Sequence, residues 1–396
     1  MPFCRECGFE VNPSWKFCPN CNSAQPQSDE GSSIQNTNVN IGDVGHLEGN
    51  ITITQNNAED IAAAMVTALE RIGFSGESSP AELTPSQEVE VEKVLEMSEQ
   101  LAGHGIEINP WTEITLGEAA RLAGRTHSAQ QHYLRALETF RKNGYRHGEA
   151  SSLQGLGLIA KIRGDLDEAE RLQRESLAIW REIGERQGES GSLGNLGLIA
   201  ETRGDLEEAE RLHREHLAIT REFGDRKGEA SSLGSLGFVI CNRGDLDEAE
   251  RVQRESLAIR REIGDRNGEV NSLICLGYIA EERGDLEEAE RLQRESIAIK
   301  REIGERHGEA ISLGSLGKIV HKRGHLVEAE RLHRESLAIW REIGDRHGEA
   351  HSLESIGDIA FENGNMDESH RCYTEVVRIQ REIGIPIQQW FIDNGY

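Results

Sequence analysis

The sequence predicts an all-α chain organised as a solenoid, preceded by a small metal-binding module and a short β segment. Three observations lead there. Glycine recurs every forty residues, at Gly164, Gly204, Gly244, Gly284, Gly324 and Gly364. Each sits in the same phrase, of the form "RGDLDEAERLQRESLAIWREIGERQGE". Four of the seven cysteines crowd into the first 21 residues. A chain that repeats one supersecondary piece this faithfully buries its core by stacking neighbours, not around one centre.

Cys4, Cys7, Cys18 and Cys21 are spaced C-x2-C-x10-C-x2-C. Each pair turns two thiolates toward one ion, and the two pairs complete a tetrahedral shell. The stretch "FCRECGFEVNPSWKFCPNC" resembles the zinc ribbons that begin many prokaryotic proteins. Asn22 stands where that family usually has glycine, and Asn tolerates positive φ. The expectation for residues 1–24 is one structural Zn2+, because four thiolates leave no open coordination position. A redox C-x-x-C pair and an iron centre are the alternatives. So short a module cannot fold on its own apolar core, so metal binding supplies its folding free energy.

Residues 25–57 read as a linker with a Gly-rich β segment. "NSAQPQSDEGSS" is a flexible stretch. In residues 34–55, Ile34, Val39, Ile41, Val44, Leu47, Ile51 and Ile53 alternate with Gly42, Gly45 and Gly49, the pattern of short strands and glycine turns. An isolated hairpin is marginal in water. This one either lies on the array or pairs with a copy of itself, making a homo-oligomer. Residues 58–109 read as two helices and a loop that cap the array. In 58–72, Ile61, Met65, Ala68, Leu69 and Ile72 share one face. In 86–102, Val89, Val94, Leu95, Met97 and Leu101 are set to cover an open end, as terminal repeats require.

Residues 150–189 stand for every repeat. Leu153, Leu156, Ile159 and Ala160 lie on one face of a first helix, which Gly164 ends in the left-handed C′ position. Asp165 opens the second helix with Glu168 three residues on, a capping-box spacing. Glu170 and Arg174 form an i,i+4 pair of roughly 0.2–0.5 kcal/mol. Two small positions recur: Gly157 and its equivalents at forty-residue intervals in the first helix, and Ala169 and its equivalents in the second. A glycine inside a helix costs about 1 kcal/mol against alanine. Close helix approach is the expected reason for keeping six of them in phase.

The repeats resemble tetratricopeptide repeats. Leu193, Leu196, Gly197, Gly204, Asp205 and Ala209 match that family's order of apolar residue, Leu-Gly, Gly-Asp turn and second-helix alanine. The period is forty rather than about 34. It is similar to the longer subclass of G-protein-modulator and kinesin-light-chain adaptors, where phrases like "LHREHLAITREFGDR" occur. The resemblance covers 111–385 in seven repeats, the first divergent, with 386–396 as a C-terminal cap in which Trp390 and Phe391 shield the last repeat. It implies a right-handed superhelical solenoid whose first helices line a concave groove.

On that wall one position reads Leu158, Leu198, Phe238, Tyr278, Lys318, Asp358. A neighbouring one reads Gln154, Gly194, Gly234, Ile274, Gly314, Glu354, and a third Lys161, Glu201, Cys241, Glu281, His321, Phe361. The repeats are nearly identical elsewhere, so variation here marks a surface with its own specificity. The expected partner-binding residues are Leu158, Leu198, Phe238, Tyr278, Ile274, Lys318 and His321, taking a peptide or helix of another protein. The alternative is that these side chains pack only between adjacent first helices. His213 and His333 alternate with Gln173, Gln253 and Gln293, which favours a polar role over metal ligation.

Composition narrows the function classes. With 70 acidic residues against 44 Lys and Arg, the formal charge is −26. Such a surface repels phosphate backbones and anionic membranes. No apolar run reaches the roughly 20 residues that span a bilayer, and the N-terminus lacks an apolar signal core, so the expected compartment is the cytoplasm. There is no P-loop, dinucleotide glycine motif, H-E-x-x-H or G-x-S-x-G, which argues against an enzyme. The leading reading is a non-enzymatic interaction scaffold in a signalling or transcription complex. A nucleic-acid-associated factor using the zinc ribbon is the alternative, against which Arg5 and Lys16 are matched by Glu6 and Glu10.

Overall fold

The structure is a computed structural model that describes residues 37–40, 50–53, 58–74, 83–103, 105–387 and 389–394. Cys4, Cys7, Cys18 and Cys21 lie outside the described residues. So do residues 25–36 and 41–49 of the linker and β segment. Strands β1 (Thr37–Asn40) and β2 (Asn50–Ile53) pair antiparallel, with Thr37 opposite Ile53 and Asn40 opposite Asn50. The chain divides into two compact units, Met1–Gly204 and Asp205–Tyr396.

In the first unit, α1 (Ala58–Arg71) and α2 (Pro85–Gly103) precede α3 (Pro110–Leu122), α4 (Thr126–Asn143), α5 (Arg146–Ile162), α6 (Leu166–Ile183) and α7 (Arg186–Arg203). Ile61, Met65 and Leu69 of α1 join Val91, Val94, Leu95, Met97 and Leu101 of α2 in one apolar core with Leu116, Leu153 and Ile159. Val89 departs from the expected capping face and is exposed. Glu113 and His132 hold positions that are Leu153 and Leu172 one repeat later. The buried Glu113 carboxylate accepts from Arg135 Nε at 2.9 Å and lies 2.6 Å from His132 Nδ1, so its charge is compensated where leucines would otherwise pack.

The second unit runs through α8 (Leu206–Phe223), α9 (Arg226–Asn242), α10 (Leu246–Ile263), α11 (Arg266–Glu282), α12 (Leu286–Ile303), α13 (Arg306–Lys322), α14 (Leu326–Ile343), α15 (Arg346–Glu362), α16 (Met366–Glu382) and α17 (Gln389–Asp393). Odd-numbered helices from α9 to α15 are the first helices of their repeats, and each packs on the helix before and after it. The last repeat ends in a ring cluster: Phe391 is buried 5.5 Å from Tyr373, while Trp390 touches Tyr373 yet remains half open to solvent.

Local chemistry explains the turns. Gly184 closes α6 at φ 75°, with its N–H bonded to the last turn of the helix. Asp165, Asp205, Asp245 and Asp285 each accept from the backbone N–H three residues on, at Glu168, Glu208, Glu248 and Glu288. The expected box is only half formed in α6, where the Glu168 carboxylate turns to Arg171 at 2.7 Å. Glu170 and Arg174 make the expected pair at 2.8 Å.

Gly157, Gly237, Gly317 and Gly357 answer to a side chain rather than to a neighbouring backbone. A Cβ at Gly157 would stand 2.6 Å from Gln173 Nε2, at Gly237 2.7 Å from Gln253, and at Gly317 2.6 Å from His333 Nε2. Gln173 Nε2 donates to the carbonyl of Gln154 at 2.9 Å, and Gln253 Nε2 to that of Gly234 at 2.7 Å. Gln173 and Gln253 are therefore buried polar struts between the two helices of their repeats.

The repeated carboxylates do not all face solvent. Glu149, Glu189, Glu229, Glu269, Glu309 and Glu349 are buried in the first turn of their helices. Each holds two arginines; Glu229 takes Arg221 Nε at 2.9 Å and Arg226 Nη1 at 2.6 Å. Burial pushes Glu229 and Glu189 up, and the arginine hydrogen bonds outweigh it, leaving both below the usual carboxylate range. The same arginines reach on to the following second helix, pairing Arg221 with Glu255, Arg226 with Glu262 and Arg306 with Glu342. Adjacent repeats are thus laced through shared guanidinium groups.

Candidate functional site

The exposed side chains of the first helices follow from the helical period. In α9, Leu233, Leu236, Val239 and Ile240 turn into the core. Phe238 falls between them and stands 49% exposed. Tyr278 takes the same place in α11 with the same exposure, beside buried Leu276 and Ile279. Glu282 lies close enough to raise the Tyr278 phenol above its ordinary range. Ile274 is half-buried and packs on the core of Val270, Leu273 and Leu292. In the first unit Leu198 is 36% exposed and Leu158 half-buried.

Further along the second unit the face changes character. Lys318 is exposed, with its ammonium 3.1 Å from His351 Nε2. His321 pairs with Glu362 at 2.8 Å. Asp358 accepts from the Tyr373 hydroxyl at 2.7 Å. Lys322 binds Glu281 at 2.5 Å. Phe238, Tyr278, Ile274, Lys318 and His321 therefore share the first-helix face of one unit, and Leu158 and Leu198 hold equivalent places in the other.

Two glycines of the neighbouring position have different uses. Gly314 has only Ser336 Oγ near it, at 3.9 Å from an added Cβ, so the backbone there is open to a ligand. Gly234 instead makes room for Arg260, whose Nη2 would stand 2.6 Å from such a Cβ. Arg260 and Lys300 are buried cations in slots that hold Trp180 and Trp340 in sister repeats. Lys300 donates to the Gly308 carbonyl at 3.0 Å and Ser312 Oγ at 3.1 Å, and burial lowers its pKa.

Ile311 and His351 escaped the sequence reading. Ile311 is 48% exposed. Their common position reads Ser151, Gly191, Ser231, Asn271, Ile311, His351, so the variation that marked Phe238 and Tyr278 marks them too. Among the described residues no group of His, Cys, Asp or Glu is arranged to hold a metal ion. No described helix is long and apolar enough to cross a membrane.

Helix pairs of this length, with glycine turns and a first-helix face free of the core, define a helical-repeat array. Family profiles agree: the MalT-like TPR region matches 196–392, and the tetratricopeptide repeat matches 109–182 and 149–222. The chain belongs to the tetratricopeptide repeat proteins. No curated protein matches it. Among solved structures it is similar to a signal transduction ATPase with numerous domains from Pyrococcus horikoshii that has a tetratricopeptide repeat sensor (TM-score 0.64, 16% identity, 86% of this chain and 50% of that one). It is also similar to RapI in its apo form (0.54, 14%, 70% and 99%) and to the apo quorum sensor NprR from B. thuringiensis (0.52, 12%, 82% and 99%). The chain spans half the length of the first of these. At such identities the likeness is one of fold.

Proposed function

We propose that the chain is a non-enzymatic protein–protein interaction scaffold that takes a peptide or helix of another protein along its first helices, as a regulator in a signalling or transcription complex. The observation that carries this is the pair Phe238 and Tyr278: two large apolar side chains, at one repeat position, half open to solvent on neighbouring repeats. Core-facing neighbours do not need them, and exposed apolar patches of this kind mark interaction sites. Leu198 and Leu158 offer the same chemistry in the first unit. The sensor repeats of the archaeal ATPase and the quorum sensor NprR are in keeping with a regulator.

The N-terminal cysteines fit one structural zinc by the chemistry of the donor set, with Cys4, Cys7, Cys18 and Cys21 as its four ligands. Bound there, the metal supplies folding free energy and no reaction. Cys241, Cys275 and Cys372 are free thiols, as suits a reducing cytoplasm.

The test is affinity capture from the native cell extract with the full chain and with a Phe238→Glu/Tyr278→Glu variant. A protein held by the parent and lost with the variant, at unchanged helical circular dichroism, supports the reading. Equal capture by both would remove the site from this face. Melting of the variant would mean that the two rings belong to the core.

A further inference from the structure

In a chain with an excess of 26 acidic groups, the exposed Lys318 turns its ammonium to an imidazole, with His351 Nε2 at 3.1 Å. The acids around it are engaged: Asp358 with Tyr373, Glu362 with His321, and Glu281 with Lys322. Glu354 is likewise not free. Beneath them His333 of α14 is buried, and its Nδ1 has no hydrogen-bond partner. Burial first, then His351, Lys318 and His321, drive His333 to about 4. Burial, Lys318 and His347 lower His351 as well, against the pull of Asp358. Lys318, His333 and His351, from the three helices α13, α14 and α15, thus converge, and the Lys318 charge disfavours protonation of both imidazoles. An anion is the electrostatic complement of such a cluster.

We propose that Lys318 and His351 form an oxyanion subsite, which takes a carboxylate side chain of the peptide whose apolar residues lie on Tyr278 and Phe238. This rests on the reading of that face as a peptide site. Lys318 sits one repeat beyond Tyr278 at the same helical position, so one extended segment meets aromatic surface first and cationic surface next. Ile311, on the same helix as Lys318, extends the apolar part toward it. An arriving carboxylate accepts from the Lys318 ammonium. It also favours proton uptake from solvent by His351, whose ring then donates in place of accepting.

The experiment is panning a random dodecapeptide display library on the full chain, followed by anisotropy measurements on the recovered peptides. Peptides lost with Phe238→Glu are expected to carry an Asp or Glu. Changing that acid to its amide should weaken binding about fivefold, the size of an exposed ion pair. Lys318→Glu should weaken it at least as much, and panning on Lys318→Glu should return Lys or Arg at the acidic position. In the complex, the NMR titration of His351 should move upward. Peptides that depend on Phe238 yet carry no acid and ignore Lys318→Glu would overturn the subsite and leave the apolar face standing. Peptides indifferent to both variants, or a library with no binder, would count against both.

Discussion

A methyl group added at two equivalent glycines should have opposite effects. Gly237 and Gly277 occupy the same position in successive repeats. A Cβ at Gly277 meets nothing closer than Gln293 Nε2 at 3.5 Å, an ordinary contact. Gly277→Ala therefore keeps the helix-propensity gain, up to about 1 kcal/mol. At Gly237 the same Cβ stands 2.7 Å from both Cγ and Nε2 of Gln253. Gln253 is buried and donates to the Gly234 carbonyl at 2.7 Å, so making room strands an amide and a carbonyl. Overpacking costs about 1–3 kcal/mol, and a stranded buried polar group about as much again. After the propensity gain, Gly237→Ala should destabilise by about 2 kcal/mol, a contrast of about 3 kcal/mol between the two variants. Urea unfolding followed by circular dichroism measures the difference. Hydrogen exchange over α9 to α12 localises it, since repeats open in neighbouring groups. Equal effects of the two substitutions, or a stabilising Gly237→Ala, would refute the claim that Gly237 exists to admit the strut.

His333 makes the stability of the second unit depend on pH. Its folded pKa, about 4, lies below the usual 6.5. The unfolded chain therefore takes up this proton first. The stability is complete above pH 6.5 and is lost as pH falls toward 4, by up to about 3 kcal/mol. His333→Gln, which installs the residue of sister repeats, should flatten that part of the profile in urea unfolding at stepped pH; an unchanged slope would rule the group out. At the N-terminus, native mass spectrometry should find one zinc per chain, lost with Cys4→Ser or Cys21→Ser. A chain purified under reducing conditions and carrying iron or no metal would contradict the ligand set.

Much of the helical array was legible because its signals are local. Gly184 and its kin end helices through their own φ, and Asp165 caps through its own backbone neighbourhood. Apolar spacing within one helix is enough to place Leu153, Leu156 and Ile159 inside. The exposed face was legible for a different reason: near-identity of the repeats turns one chain into its own alignment, so Phe238 and Tyr278 stand out by varying. The same argument applied one column over would have found Ile311 and His351.

What escaped depends on neighbours distant in the chain. Glu229 and Glu255 look alike in the sequence, yet of the two only Glu229 is buried, where two arginines converge on it from either side of a turn. The in-phase glycines looked like a place where backbones meet; at Gly157, Gly237 and Gly317 the space belongs to a glutamine or histidine 16 residues on, and at Gly357 to Tyr373. The chain's period, its helix ends and its apolar faces are settled by its sequence, since each depends on contacts within a few residues. Which carboxylates are buried, which side chain a glycine admits, and that Lys318 turns to an imidazole are settled by packing between helices, since each depends on at least one partner eight to more than thirty residues away.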